Sequence, residues 1–215
     1  MNSSNSSSLV TFVVALMWIS STLQTFAARP EQGKGETIVL VRHGEKPPEG
    51  LGQLTCKGLN RALALPNVLI TRYGKPDFVY APNPSVQVPD GNSGPYSYVR
   101  PLVTIEPTAI RLAMPVNTQI GFNEIDKLQK ELMQPAYANS VIFVAWEHIA
   151  LYQFARQMLL SNGKDPSVVP DWPNSDYDTI YIFRILRPNG MPQVTLTIAK
   201  EMLDNSLSDA CPAIR

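Results

Sequence analysis

Two continuous apolar runs dominate the hydropathy pattern of the chain, Thr37-Ile38-Val39-Leu40-Val41 and Val141-Ile142-Phe143-Val144-Ala145-Trp146. Both are rich in β-branched or aromatic residues and show no polar alternation, the pattern of strands buried on both faces. Between and after them the pattern changes period. Helical spacing follows Thr55, a capping residue, and runs to about Arg72 with Leu59, Ala62, Leu63 and Leu69 on the apolar side. Pro66 predicts a kink or division of that helix. Asp77 to Ala81 reads as a short strand, Leu102 to Leu112 as a helix with Pro101 in its first turn and a break or kink at Pro107, and Pro115 to Gln119 as another short strand. Glu124 to Met133 and Ile149 to Leu160 have helical spacing, the latter closed by Asn162-Gly163. Thr179 to Leu186 and Gln193 to Ala199 alternate as strands, joined through Pro188-Asn189-Gly190 as a hairpin. Strands alternating with helices predict an α/β layered domain.

Composition adds limits. The 215 residues fit one domain plus a targeting segment, and 44% hydrophobic residues suffice for a sizeable core. Lys+Arg and Asp+Glu both total 18, and the sequence has no basic run or nucleic-acid-binding motif, so a nucleic-acid partner is not expected. The first 28 residues carry no charged side chain. A Ser/Asn-rich start, an apolar run from Leu9 to Ile19 and small residues up to Thr25-Phe26-Ala27-Ala28 have the layout of a secretory signal peptide, with an uncleaved anchor as the alternative. The run is shorter than the about 20 residues a spanning helix needs. The expected division is therefore residues 1–28 as signal and 29–215 as a secreted or periplasmic domain, without a membrane partner once the signal is removed. For Cys56 and Cys211, the only cysteines, a disulfide and two buried thiols both stay open.

Each buried run ends at one of the only two histidines: Arg42-His43-Gly44-Glu45 follows the first, Glu147-His148 the second. In open α/β sheets ligands bind at the carboxyl ends of the strands. Glycine after a histidine lets backbone amides approach an anion, arginine offers a planar fork matched to phosphate oxygens, and a neutral imidazole can attack phosphorus. The pattern points to chemistry on a phosphate. No metal-ligand cluster and no cofactor motif accompany it.

The surroundings of these residues resemble the histidine phosphatase, or phosphoglycerate mutase-like, superfamily. Arg42-His43-Gly44-Glu45 is followed by Leu54-Thr55-Cys56-Lys57-Gly58-Leu59-Asn60-Arg61-Ala62, then by Arg100-Pro101-Leu102-Val103-Thr104-Ile105-Glu106-Pro107, then by His148 after an apolar strand, all in the family's order. The resemblance implies a three-layer α/β/α sandwich around a mostly parallel central sheet. It also implies His43 as a nucleophile that becomes phosphohistidine, with Arg42, Arg100 and His148 binding the phosphoryl group, and neither metal nor cofactor. The expected activity is phosphomonoester hydrolysis of a small phosphorylated substrate; mutase-type phosphoryl transfer and non-catalytic phosphate binding are the alternatives. Where some branches place an acid immediately after the second histidine, this chain has Ile149. The proton donor is then read as Glu147, with Glu124 as the other candidate. Lys46 is read as a substrate-binding cation at the rim, with a solvated lysine as its plain reading. Asn83 to Val99, intervening before Arg100, is a lid, a specificity element or a passive insertion. Asp176-Tyr177-Asp178 is read as a turn and cap that could also face the site.

Overall fold

In the computed structural model, which describes residues 35–91 and 94–213, the first buried run forms β1 (Glu36–Arg42) and the second β5 (Val141–Trp146). They pair in parallel, with Thr37 opposite Val141 and Arg42 opposite Trp146. The five-stranded sheet has the order β2-β5-β1-β6-β7, completed by β2 (Phe78–Tyr80), β6 (Thr179–Leu186) and β7 (Gln193–Lys200). β2 and β5 pair in parallel, while β1 with β6 and β6 with β7 pair antiparallel. Four strands thus point one way and β6 alone is reversed. The sheet is mostly parallel in direction, although two of its four pairings are antiparallel. Leu186 faces Gln193 across the expected hairpin.

Alternation along each strand divides the core into two layers. Ile38, Leu40, Ile142, Val144 and Trp146 face α3 (Ile125–Leu132) and α4 (His148–Ser161), packing with Leu128, Leu151, Phe154 and Met158. Val39, Val41, Phe143 and Ala145 face the other way, onto Leu65 and Leu69 of α1 (Cys56–Tyr73) and Ile105 of α2 (Arg100–Leu112). The result is the three-layer α/β/α sandwich.

Several expectations need correction. Both proline-containing helices run unbroken: Pro66 lies within α1 and Pro107 within α2. Packing on the sheet outweighs the about 3 kcal/mol local cost of an interior proline. Leu63 points outward at 52% exposure, and Leu65 takes the buried position instead. The segment Pro115 to Gln119 forms only an isolated bridge between Asn117 and Tyr80. The loop before Arg100 contains a two-stranded ribbon, β3 (Gln87–Val88) and β4 (Tyr96–Ser97). Cys56 and Cys211 form a disulfide across 155 residues of sequence. The expected signal segment lies outside the described residues; among those described, no helix is long and apolar enough to cross a membrane.

Candidate active site

The parallel pairing of β1 and β5 brings both histidines together at the carboxyl ends of two neighbouring interior strands. The His43 amide donates to the Trp146 carbonyl at 2.9 Å, the last rung of that ladder. After His43 the chain turns against the start of α1. A Cβ on Gly44 would lie 2.7 Å from the Gly58 carbonyl oxygen, and one on Gly58 would lie 2.4 Å from that of Glu45. Only glycines permit this approach, which explains the glycine of the Leu54–Ala62 segment. Thr55 caps α1 by accepting from the Gly58 amide. Glu45 turns away from the cavity and takes a bidentate pair of hydrogen bonds from Arg61 at 2.8 and 3.0 Å. Arg61 is fully buried and also pairs with Glu201 and Asp204, tying the loop to α1 and to the C-terminal segment.

A cavity of about 420 Å³ lies over the strand ends, lined by Arg42, His43, Arg100, Glu147 and His148, among others. Lys46, Asp90, Tyr98, Asn174 and Tyr177 also reach it. The expected residues therefore meet, with one exception. Glu124 is exposed, accepts from the Gly121 amide, pairs with Lys127 and does not line the cavity.

His43 is 2% exposed, and its Nδ1 lies 2.7 Å from the Gly44 carbonyl oxygen. A carbonyl only accepts, so Nδ1 carries the proton and Nε2 keeps its lone pair. Burial, reinforced by the charges of Arg100 and Arg42, pushes the imidazole down to about 3. The ring is neutral at physiological pH, the state a nucleophile needs.

Arg42 is held by one nitrogen. Its Nη1 donates to the carbonyls of Asn174 and Asp176, both at 2.8 Å, and the guanidinium stacks 3.8 Å from the Tyr177 ring centroid. Arg100 opens α2, donates to Asp90 and lies 4.8 Å from the centre of the Tyr98 ring. The Nε atoms of both arginines and the Tyr98 hydroxyl are buried without a hydrogen-bond partner. Unmet buried donors are rare because they carry a desolvation cost. Two of these donors, one on each arginine, suit an anion that brings its own oxygens.

His148 is fixed from both sides, with Nε2 2.7 Å from Asn174 Oδ1 and Nδ1 2.5 Å from Glu147 Oε1. Glu147 is the N-cap of α4, accepting from the Ala150 amide at 2.8 Å. Burial alone raises a carboxyl, but the contact with His148 and the Ile149 and Ala150 amides prevail and hold Glu147 down at about 2. Its carboxylate is engaged by the Ala150 amide and by His148, so the geometry gives Glu147 an orienting place beside His148.

Among the cavity residues, Asn174 was not singled out from the sequence, Asp90 and Tyr98 come from the Asn83 to Val99 loop without having been named individually, and Tyr177 comes from the segment read as able to face the site. Asp176 accepts from the Asp178 and Thr179 amides and Asp178 from those of Met202 and Leu203, the turn-and-cap role, while Tyr177 between them faces the cavity. A signal existed for this segment: it precedes β6, and only a reversed strand beside β1 puts that start at the mouth of the sheet.

No family model and no curated protein matches the sequence. Solved structures match by shape. Mycobacterial glucosyl-3-phosphoglycerate phosphatase in complex with inorganic phosphate superposes with a TM-score of 0.53 at 12% identity, over 77% of this chain and 98% of that one. Its native form gives 0.52 at the same identity and coverage. This is the phosphoglycerate mutase-like fold of the histidine phosphatases. SixA from Nakamurella multipartitia shares it with a TM-score of 0.50 and 17% identity, over 77% of this chain and 95% of that one. At these identities the likeness is one of fold, and the chemistry of the site rests on its own residues.

Proposed function

We propose that the protein is a phosphomonoester hydrolase that works through a phosphohistidine on His43. The observation that carries this reading is the neutral His43 ring, with Nδ1 engaged by Gly44 and Nε2 left as a nucleophile in a cavity lined by Arg42, Arg100 and His148. Nε2 attacks phosphorus and the ester oxygen departs. Arg42 and Arg100 stabilise the charge on the transferring group through fixed donors, and water then hydrolyses the phosphohistidine. Lys46 at the rim adds positive potential for an incoming anion. The uncharged first 28 residues and the Cys56–Cys211 disulfide support placement in an oxidising compartment outside the cytoplasm.

The test is hydrolysis of p-nitrophenyl phosphate with His43→Ala as control. Wild type is expected to release phosphate and to form an acid-labile phosphoenzyme, and His43→Ala to do neither. Full activity in that variant overturns the reading. The ionised state of Glu147 favours one other reading, a phosphate-binding protein without turnover. Calorimetric phosphate binding with no hydrolysis across a broad panel of esters would select it.

A further inference from the structure

The hydrolase reading leaves the departing oxygen without a proton donor. Two carboxylates line the cavity, and they are held differently. Glu147 is committed to a helix amide and to His148. Asp90, on the turn between β3 and β4, is 5% exposed, and its partners are Arg100, Lys46 at 3.1 Å and the Gly52 amide at 3.2 Å. Arg100 and Lys46 are cations that a bound phosphoryl group would also engage. The placement is built closely: a Cβ on Gly50, at φ +76°, would lie 2.0 Å from the Asp90 carboxyl carbon. Tyr98 also lines the cavity, but burial pushes its hydroxyl up, away from donating near neutral pH.

We propose that Asp90 protonates the leaving oxygen, an inference that rests on the hydrolase reading above. In the free protein Arg100, Lys46 and the Gly52 amide outweigh burial and hold the Asp90 carboxyl below its usual range. A phosphoryl group on Arg100 and Lys46 neutralises those charges and adds negative charge beside Asp90, so the carboxylate gains affinity for a proton. The substrate brings that proton, because a phosphomonoester monoanion carries one on its phosphoryl oxygen. The proton moves to Asp90. His43 Nε2 then forms the N–P bond as the P–O ester bond breaks, and Asp90 passes the proton to the departing oxygen, which leaves as the alcohol. One negative charge enters with the ester and one remains on the phosphohistidine. In the second half, Asp90 takes a proton from the attacking water as the new P–O bond forms and the N–P bond breaks, then passes that proton to the departing phosphate, which leaves as the monoanion with His43 neutral and Asp90 ionised again. The groups facing Asp90 are Lys46 from the loop after β1, the Gly52 amide from the same loop, and Arg100 from α2.

The experiment compares Asp90→Asn with wild type on p-nitrophenyl phosphate, whose leaving group needs no proton, and on glycerol phosphate, whose alkoxide does. Asp90→Asn is expected to lose about 100-fold or more in kcat/KM on glycerol phosphate and less than about tenfold on the aryl ester. Asp90→Glu should recover part of the alkyl activity, and Glu147→Gln should lower both esters in equal proportion. Equal losses on both esters in Asp90→Asn, with melting unchanged, overturn the proposal. So does a leaving-group dependence that appears in Glu147→Gln instead, or tighter phosphate binding in Asp90→Asn without any leaving-group dependence. If wild type hydrolyses neither ester, or His43→Ala retains activity, the hydrolase reading fails first and this one with it.

Discussion

Arg42, His43, Glu147 and His148 stand on the ends of β1 and β5, and Lys46 and Asp90 stand on loops facing them. The first group is the floor of the cavity. It is set by a parallel ladder whose residues are almost all buried and whose two faces are packed by helices. The second group is the wall. It is set by a charged clasp of Lys46, Asp90 and Arg100 and by glycine-dependent turns. Apolar burial is non-directional and large, so it makes the floor rigid at the cost of one geometry. A polar clasp is directional and exchangeable with a ligand's own charges. A fixed nucleophile opposite adjustable loops suits a site that holds one phosphoryl group against different leaving groups.

The largest effect expected from that difference falls on the floor. Phe143 is fully buried in β5, and Phe143→Ala should cost about 3–5 kcal/mol in urea denaturation, because the sheet cannot close the cavity left behind. A loss under about 1 kcal/mol would show that the floor does not depend on this packing. Next comes the disulfide that fastens the C-terminal segment to the start of α1. Cys56→Ser should lower stability by about 2–4 kcal/mol, read from the same denaturation curves. The wall should respond more weakly and more locally. Gly50→Ala forces a side chain into φ +76° and against Asp90, at about 1–3 kcal/mol. Its signature should be faster amide exchange around residues 86–91 and 97–100, with the strands of the sheet still protected. Uniform loss of protection would erase the distinction between wall and floor.

The smallest effect near neutrality comes from His43. Burial and the arginines hold its folded imidazole near 3, while the unfolded chain titrates near 6.5. Between these values the unfolded state binds more protons, so stability falls as the pH drops from about 6.5 towards 3 and is unaffected above. Stability measured against pH in wild type and His43→Ala should differ by about one proton's slope in that window. Identical slopes would mean that the ring is not buried neutral.

The strands carrying the floor were legible because their signal is local. A continuous β-branched run announces a buried strand, and the residue that ends it announces the sheet's mouth. The caps and close approaches were legible for the same reason: Thr55 stands three residues before Gly58, whose lack of a side chain is visible in the letters themselves. The partners of the cavity's two carboxylates were not. Reading along β5 suggested Glu147 from its place beside His148, whereas its orientation as a helix cap exists only once α4 begins at His148. Asp90 looked like one polar residue of a long loop. Its meeting with Lys46, 44 residues away, and with Arg100 depends on how two loops close over the sheet.

Asn174 makes the same point at longer range. Its carbonyl takes the Arg42 guanidinium across 132 residues and its side chain takes His148 across 26. Nothing in the local pattern measures those separations. By itself, the sequence determined the two buried strands, the helices between them, the strand-end histidines and the glycines that let the first loop approach α1, because propensity, period and steric size act over a few residues. The tertiary structure alone decided that Pro66 and Pro107 stay helical, that Leu65 rather than Leu63 faces the core, that Cys56 meets Cys211 and that Asp90 faces the cavity. Those outcomes turn on burial, loop closure and charge pairing between residues far apart in the chain.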